Sequence, residues 1–238
     1  ANNINEFHSI GTDVLVSSPE IIKITQDKME TFKFFNSLGF KTPESYDKNT
    51  EYNGQFPCFI KPISGSSSVN AFKVNNKKEL DFFKYYIGDY IIQELIIGEE
   101  YTVDIFCNFE GKPIYITPRI RISTRSGEVN KTKIHYDPIL IEQVKKIIKE
   151  LKPKGPLTVQ AIKSKQDGQY YFIEINARFG GGAPLSMMAG ANSAGALYDI
   201  LRGKKLNYLP NAAKEGLIFL RFDQSIIVRE EDGHYEKV

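Results

Sequence analysis

The chain has 238 residues, with 31 Lys and Arg against 29 Asp and Glu, a net charge of +2 and 41% hydrophobic residues. That is the composition of an ordinary globular protein, long enough to bury one large core or two smaller ones. The near-balanced charge gives no electrostatic reason to expect a nucleic acid or a membrane surface as partner. No apolar run approaches the ~20 residues of a membrane-spanning helix, and the start, Ala1-Asn2-Asn3-Ile4-Asn5-Glu6, lacks the basic-then-apolar pattern of a signal peptide. It also lacks Met, so the chain is expected to be trimmed from a longer one. Cys58 and Cys107 both lie in strand-like apolar runs, where buried reduced thiols and a cytoplasmic setting are the default. Neither C-x-x-C nor H-E-x-x-H spacing occurs, which speaks against zinc. G-x-x-x-x-G-K-[ST] and G-x-G-x-x-G are both missing, which speaks against a P-loop or a dinucleotide site.

In chain order, residues 1–20 read as a short extended lead-in with a strand at Val14-Leu15-Val16. Asp27-Lys28-Met29-Glu30 has the form of a capping box, and the helix it opens stops at Gly39. Phe56 to Ile60 reads as a strand ending at Lys61-Pro62, followed by the polar loop Ser64-Gly65-Ser66-Ser67-Ser68 and a returning strand from Ala71 to Val74. Lys77 to Ile87 is an amphipathic helix, and Tyr90 to Leu95 a strand. After Ile97-Gly98, Tyr101 to Phe106 alternates strongly and turns into Pro113 to Thr117; residues 119–135 are polar and extended. Asp137-Pro138 supplies N-cap and N1 of a helix to about Leu151. Leu157 to Ser164 and Gln169 to Asn176 form a hairpin around Asp167-Gly168. Gly180-Gly181-Gly182 precedes two small-residue helical stretches, and Glu215 to Val228 reads as a further strand pair or edge. Hairpins with interspersed helices, and no regular βαβ alternation, give an α+β class.

The chemistry concentrates in Phe172-Ile173-Glu174-Ile175-Asn176-Ala177-Arg178. Simple alternation puts Phe172, Glu174, Asn176 and Arg178 on one face and Ile173 and Ile175 on the other. An acid, an amide and a guanidinium in a row make a poor core face and a good wall for magnesium and phosphates, because Mg²⁺ is held by one or two carboxylates plus substrate oxygens. An Arg beside such a site neutralises charge on a transferring phosphoryl group. Counting outward from the turn brings Gln160 near Glu174 and Asn176, which makes a one- or two-magnesium site of the kind that clamps a triphosphate. For an isolated E-x-N a solvated sheet face is the better reading; with Arg178, the three glycines and Gln160 in reach, function is favoured. Lys61 closes an apolar strand ahead of a Gly/Ser loop, where a cation and loop N–H groups meet phosphate oxygens, although a surface lysine before a flexible connection gives the same pattern. Glu94 and Glu100 flank Leu95-Ile96-Ile97-Gly98-Glu99. An acid at a strand end accepts an adenine amino group, backbone at Leu95 and Ile96 addresses the ring edge, and an acid after the glycine accepts ribose hydroxyls. Taken alone, these are acids in an exposed turn.

The order of Asp27-Lys28, Phe59-Ile60-Lys61-Pro62, the Gly/Ser loop, Gln93 through Asp104, Thr158-Val159-Gln160 and Glu174-Ile175-Asn176-Ala177-Arg178 resembles the ATP-grasp superfamily. The likeness is closest to the ATP-binding domain of carbamoyl-phosphate synthetase large chains and its stand-alone relatives, over roughly residues 20 to 200. The resemblance implies two α+β lobes with ATP held between antiparallel sheets: a small lobe over 21–94 and a large lobe over 95–238, with 1–20 a remnant of an N-terminal domain. It implies that Lys28 and Lys61, with Ser64, Gly65, Ser66 and Ser67 of the loop, contact phosphates. It places Glu94, Leu95 and Ile96 at adenine and Glu100 at ribose. It assigns Gln160, Glu174 and Asn176 to Mg²⁺ (or Mn²⁺), and Arg178 to the transferring phosphate. The family chemistry is activation of a carboxylate as an acyl phosphate and attack by an amine or similar nucleophile; the alternative is a nucleotide-binding regulatory or degenerate module without turnover. A carbamoyl-phosphate synthetase subunit proper needs a second ATP-grasp half and a glutaminase, which a chain of this length does not hold. The loop departs from the family in carrying one glycine, Gly65.

Arg119, Arg121 and Arg125, with Lys131 and Lys133, make a basic stretch, and Arg121, Arg125 or Lys131 is expected at the acidic substrate or the γ-phosphate. A solvated hairpin with Glu128 as partner explains the same residues equally well. The expected partners are ATP, a small carboxylate and a nucleophile, in the cytoplasm, and the reading admits a homodimer.

Overall fold

The computed structural model describes residues 1–65, 69–125, 127–231 and 233–237. Its strands pair antiparallel throughout, in two main sheets and one small hairpin. The first sheet has the order β1 (Ser45–Asp47), β4 (Tyr90–Glu94), β2 (Cys58–Pro62), β3 (Phe72–Val74). It is covered by α4 (Lys77–Ile87), whose Leu80 is fully buried against Cys58, Ile60, Val74 and Ile92. The helix starts where Asn76 accepts a hydrogen bond from the Glu79 N–H (3.0 Å) and ends at Gly88, whose φ of 77° an L side chain resists.

The second sheet has six strands, in the order β10 (Ile218–Leu220), β7 (Glu128–Ile134), β6 (Pro113–Arg125), β5 (Gly98–Cys107), β8 (Gly155–Ser164), β9 (Tyr170–Asn176). One face is apolar. Val103 and Ile105 of β5, Val159 and Ala161 of β8, and Phe172 and Ile175 of β9 pack there against α5 (Pro138–Leu151), α2 (Pro19–Gln26) and α3 (Lys28–Ser37). Asp137 caps α5 by accepting from the Ile139 N–H (2.9 Å), and Asp27 caps α3 by accepting from the N–H groups of Met29 (2.7 Å) and Glu30 (3.1 Å). The other face carries the polar set: Thr102 and Asp104 of β5, Arg119 and Arg121 of β6, Thr158 and Gln160 of β8, Glu174 and Asn176 of β9. The period of two along each strand separates core from chemistry. Short helices α6 (Ala183–Met188) and α7 (Ser193–Leu201) follow β9, and α7 packs Ala196 on Phe106 and Ile114. Cys58 and Cys107 are buried and free.

Three expectations are corrected. Simple alternation fails in β9: Gln160 pairs with Glu174 but Ala161 pairs with Phe172, so Ile173 is a bulged extra residue. The bulge turns Phe172 into the core, fully buried with ring centroids 5.2 Å from Phe35 and 5.1 Å from Phe40, and leaves Glu174 on the polar face. Burying a Phe stabilises by roughly 2–3 kcal/mol, enough to set the phase. Second, the lead-in is not simply extended. It contains α1 (Ile4–Ser9) and α2, which begins with Ser18 at N-cap and Pro19 in its first turn, while Val14-Leu15-Val16 joins no sheet among the described residues. Third, only Ile218–Leu220 of the C-terminal stretch joins the large sheet; β11 (Val228–Glu231) and β12 (His234–Lys237) pair with each other. Among the described residues no helix is long and apolar enough to cross a membrane.

Candidate functional site

A cleft of about 530 Å³ lies between the four-stranded sheet and the polar face of the six-stranded one. Its apolar lining comes from Phe59, Val69, Ala71, Ile162 and Ile173, with Glu94, Leu95 and Ile96 along the chain segment that links the sheets. Its polar and charged lining comes from Lys28, Lys61, Glu100, Arg121, Gln160 and Glu174. A second chamber of about 340 Å³ adjoins it and is lined by Thr102, Arg119, Glu128, Asn176, Arg178 and Gly180 to Gly182. The two share Arg121, Gly127, Gln160 and Glu174.

The residues expected at a nucleotide and metal site are thus brought together. Lys28, Lys61, Ser64, Gly65, Glu94, Leu95, Ile96 and Glu100 all line the first cleft, and Ser66 and Ser67 lie outside the described residues. Lys28 Nζ donates to the carbonyls of Gly65 (3.0 Å) and Ile63 (3.5 Å), tying the first helical residue of α3 to the start of the Gly/Ser loop. Gly65 has a φ of 100°, a conformation that favours glycine. Lys61 makes no ion pair among the described residues. Burial pushes its ammonium down to about 8; Glu174 and Glu100 hold the charge up and Lys28 opposes it. Burial likewise lowers the Lys28 ammonium, against the pull of Glu174 and Asp27. Two desolvated cations in one cleft are a site waiting for negative charge.

Gln160 and Glu174 are register partners across β8 and β9. Asn176 Nδ2 donates to Glu174 Oε1 (2.9 Å), and among the described residues Asn176 Oδ1 and Glu174 Oε2 accept no hydrogen bond; Glu174 lines both chambers and Asn176 the second. One carboxylate and two amides suit a hard divalent cation that completes its shell with phosphate oxygens and water. Among the described residues no group of three or more His, Cys, Asp and Glu is placed so that it could hold a metal ion by itself.

The basic stretch divides. Arg121 enters both chambers, donating to Glu100 Oε1 through Nη1 and to the Gly127 carbonyl through Nη2 (2.9 Å). Glu100 therefore faces the cleft with one oxygen already engaged. Of the three basic residues offered for the acidic substrate or the γ-phosphate, Arg121 lines the chambers, whereas Arg125 is exposed and pairs with Asp223, and Lys131 is exposed on β7; neither of these two lines either chamber. Register shifts in the β6–β7 pairing around Ser123 and Thr124 break the alternation that would have kept Arg125 in line with Arg121. Arg178 lies beyond the end of β9 and lines the second chamber, its Nη1 donating to the Phe179 carbonyl (3.0 Å).

Sequence reasoning missed three features. The apolar lining of the cleft includes Ile162, which shares a face of β8 with Thr158 and Gln160, and that alternation was readable. Arg119 is 2% exposed, and its Nε donates to Asp104 Oδ2 (2.7 Å) beneath the second chamber. Gly182 lies against it: a Cβ there would stand 2.4 Å from the guanidinium, so only glycine lets the backbone pass.

A family model described as an ATP-grasp domain matches residues 25–182. A D-alanine–D-alanine ligase of Fusobacterium nucleatum is 32% identical over 178 residues, 70% of this chain and 59% of that protein. A carbamoyl-phosphate synthase of Methanobrevibacter smithii is 24% identical over 210 residues, 80% of this chain and 56% of that protein. The chain thus spans under six-tenths of the length of these curated relatives. Among solved structures, the biotin carboxylase domain dimer of Hydrogenobacter thermophilus 2-oxoglutarate carboxylase, in complex with MgADP, ADP and bicarbonate, superposes with a TM-score of 0.71 at 14% identity, covering 100% of this chain and 64% of that one.

Proposed function

The chain belongs to the ATP-grasp family, and from that premise we propose that it binds Mg-ATP in the larger cleft and is the ATP-binding part of a ligase that joins a carboxylate to an amine through an acyl phosphate. The observation that carries this reading is the seam: Gln160 and Glu174 line both chambers, so a triphosphate in one meets an acid in the other beside the same oxygens. Adenine sits on the apolar lining against Leu95 and Ile96, with Glu94 at its amino group and Glu100 at the ribose. Lys28, Lys61 and the loop from Ser64 hold the phosphates. Magnesium, or manganese, held by Gln160, Glu174 and Asn176, supplies charge neutralisation for the phosphates. Arg178 faces the transferring phosphoryl group. The acid's carboxylate oxygen attacks the γ-phosphorus and ADP departs with the broken bond's electrons; the amine then attacks the acyl carbon and phosphate leaves. The grip comes from lobes divided near residue 94, 21–94 and 95–238. The relatives' names span peptide-bond and carbamoyl-phosphate chemistry, so the coarser carboxylate–amine class is the one we adopt over a carbamoyl-phosphate-synthetase-like specificity. The intact set Gln160, Glu174, Asn176 and Arg178 supports turnover over a module that has lost it.

Calorimetric titration with Mg-ATP tests the reading. Saturable one-site binding is expected, weakened by about 10–100-fold in Lys61→Ala, since a hydrogen bond to a charged group is worth ~1.5–3 kcal/mol. A well-folded parent that does not bind Mg-ATP overturns it.

A linked prediction concerns pH. Lys61 in the free protein is half-protonated near pH 8, and a bound triphosphate restores its charge. Binding is therefore expected to take up protons above about pH 8, with the association constant falling by up to about tenfold per pH unit there and flat in this respect below about pH 7. Titrations at pH 8 in HEPES and in Tris, whose ionisation enthalpies differ, read the uptake directly. Equal heats in the two buffers would remove Lys61 as the linked group; Lys61→Arg is expected to abolish the difference.

A further inference from the structure

We propose that Arg121 is a positioning residue for the nucleotide: it holds Glu100 ready for the ribose hydroxyls and keeps it away from Lys61. This rests on the nucleotide reading above and gives a part in it to an arginine that lines both chambers.

The cleft sets a carboxylate beside desolvated ammonium groups, an arrangement that collapses unless something holds it open. Glu100 is near enough to Lys61 to help hold up its charge. An ammonium buried without a partner gains by drawing in a carboxylate within reach. A Glu100–Lys61 pair would remove both groups at once, the acid from the ribose and the cation from the phosphates. The structure shows a different pairing. Glu100 has a neighbour on each side in the six-stranded sheet. Ile162 of β8, its register partner, offers the carboxylate no side-chain hydrogen bond. Arg121 of β6 lies across from it, one step beyond the Tyr101–Ile120 pair, and donates through Nη1 to Glu100 Oε1. The other prong of the guanidinium, Nη2, donates to the Gly127 carbonyl in the turn between β6 and β7 (2.9 Å). A guanidinium bound at two points on a side chain only 10% exposed has little freedom to turn. It fixes one oxygen of Glu100, and the other, Oε2, accepts no hydrogen bond among the described residues.

These contacts also separate Arg121 from Lys61. The lysine makes no ion pair among the described residues, whereas the arginine is engaged by an acid and a carbonyl before any ligand arrives. The same contacts give the reason for arginine at this position. A lysine is a point charge that reaches the acid or the carbonyl, and the planar fork spans both.

The test is calorimetric titration of the whole chain with Mg-ATP, Mg-2′-deoxy-ATP and Mg-3′-deoxy-ATP. The readout is the factor by which a missing hydroxyl weakens binding. In the parent at least one of the two factors is expected to be about tenfold or more, the size of one hydrogen bond to a charged group. Arg121→Ala is expected to bring it below about threefold. Glu100→Ala is expected to do the same, and the double variant to go no lower than either, because residues acting as one unit are not additive. Arg121→Lys keeps the charge without the fork; its factor is expected to lie between those of the parent and Arg121→Ala, and it carries the test if the alanine variant does not fold. Equal weakening of all three nucleotides in Arg121→Ala would make Arg121 a phosphate contact and overturn the proposal, as would an Arg121→Lys factor equal to the parent's. A parent factor below about threefold overturns the place of Glu100 at the ribose, and the proposal with it, while Mg-ATP binding stands. A folded parent that binds none of the three overturns the nucleotide reading itself.

Discussion

Replacing Asp104 with alanine is expected to cost about 3–5 kcal/mol of folding stability, the range for breaking a buried ion pair from one side. Arg119 is 2% exposed, and Asp104 holds it through Nε at 2.7 Å and Nη2 at 3.4 Å while also accepting from Ser186 Oγ at 2.6 Å. The Arg119 Nη1 is already buried without a partner among the described residues, and the backbone at Gly182 lies against the guanidinium, where an added Cβ would stand 2.4 Å from Nη2. Against a typical total stability of ~5–15 kcal/mol, the loss is a large fraction of the whole. Urea unfolding measures it: the midpoint should fall with an unchanged slope. A loss below about 1 kcal/mol would mean that water reaches Arg119 in the variant. A double change of Arg119→Met with Asp104→Leu is expected to recover most of the loss, because the cost lies in the stranded charge and not in the absent contact.

Turnover is expected to fall by about 10³-fold or more in Glu174→Ala, with the fold intact. Glu174 is the carboxylate of the proposed metal set and lies where the two chambers meet. Removing one preorganised charge-stabilising group from a reacting centre typically costs 10²–10³-fold, and here the metal goes with it. A second signature separates this from general damage. Glu174 is the foremost group holding up the charge of Lys61, so in the variant the Lys61 ammonium should drop further below about 8 and the pH above which nucleotide affinity declines should move down with it. Phosphate release under saturating Mg-ATP and substrates, with affinity followed from pH 6 to 9, measures both effects. Turnover within tenfold of the parent would place the metal elsewhere.

Much of the cleft was legible because it is built from strand ends and strand faces, which sequence marks locally. Glu94 closes an apolar run, Glu100 follows a glycine, Gln160 alternates with buried Val159 and Ala161, and Glu174 precedes buried Ile175. The rest depends on pairing between strands, which no single strand records. Phe172 changes face because β8 skips a residue of β9. Arg119 and Arg125 belong to one basic stretch, yet one is buried on an acid and the other reaches solvent, because β6 runs from the middle of the sheet out to its rim. Glu100 and Arg121 read as unrelated charges until the antiparallel β5–β6 register puts Tyr101 opposite Ile120 and so sets the next residue of each strand across from the other. The helix at Pro19 carried a readable Ser-Pro-Glu start.

The bulge at Ile173 makes β9 tolerant of length as well as of composition. A residue there lines the cleft and takes no place in the ladder, so other apolar side chains fit. With Ile173 removed, Phe172 and Glu174 become consecutive residues opposite Ala161 and Gln160, and the regular ladder that results still turns Phe172 into the core and Glu174 to the polar face. What the position supplies is therefore apolar lining for the cleft, and neither a point change nor a frame-preserving loss of its codon disturbs the separation of core from chemistry.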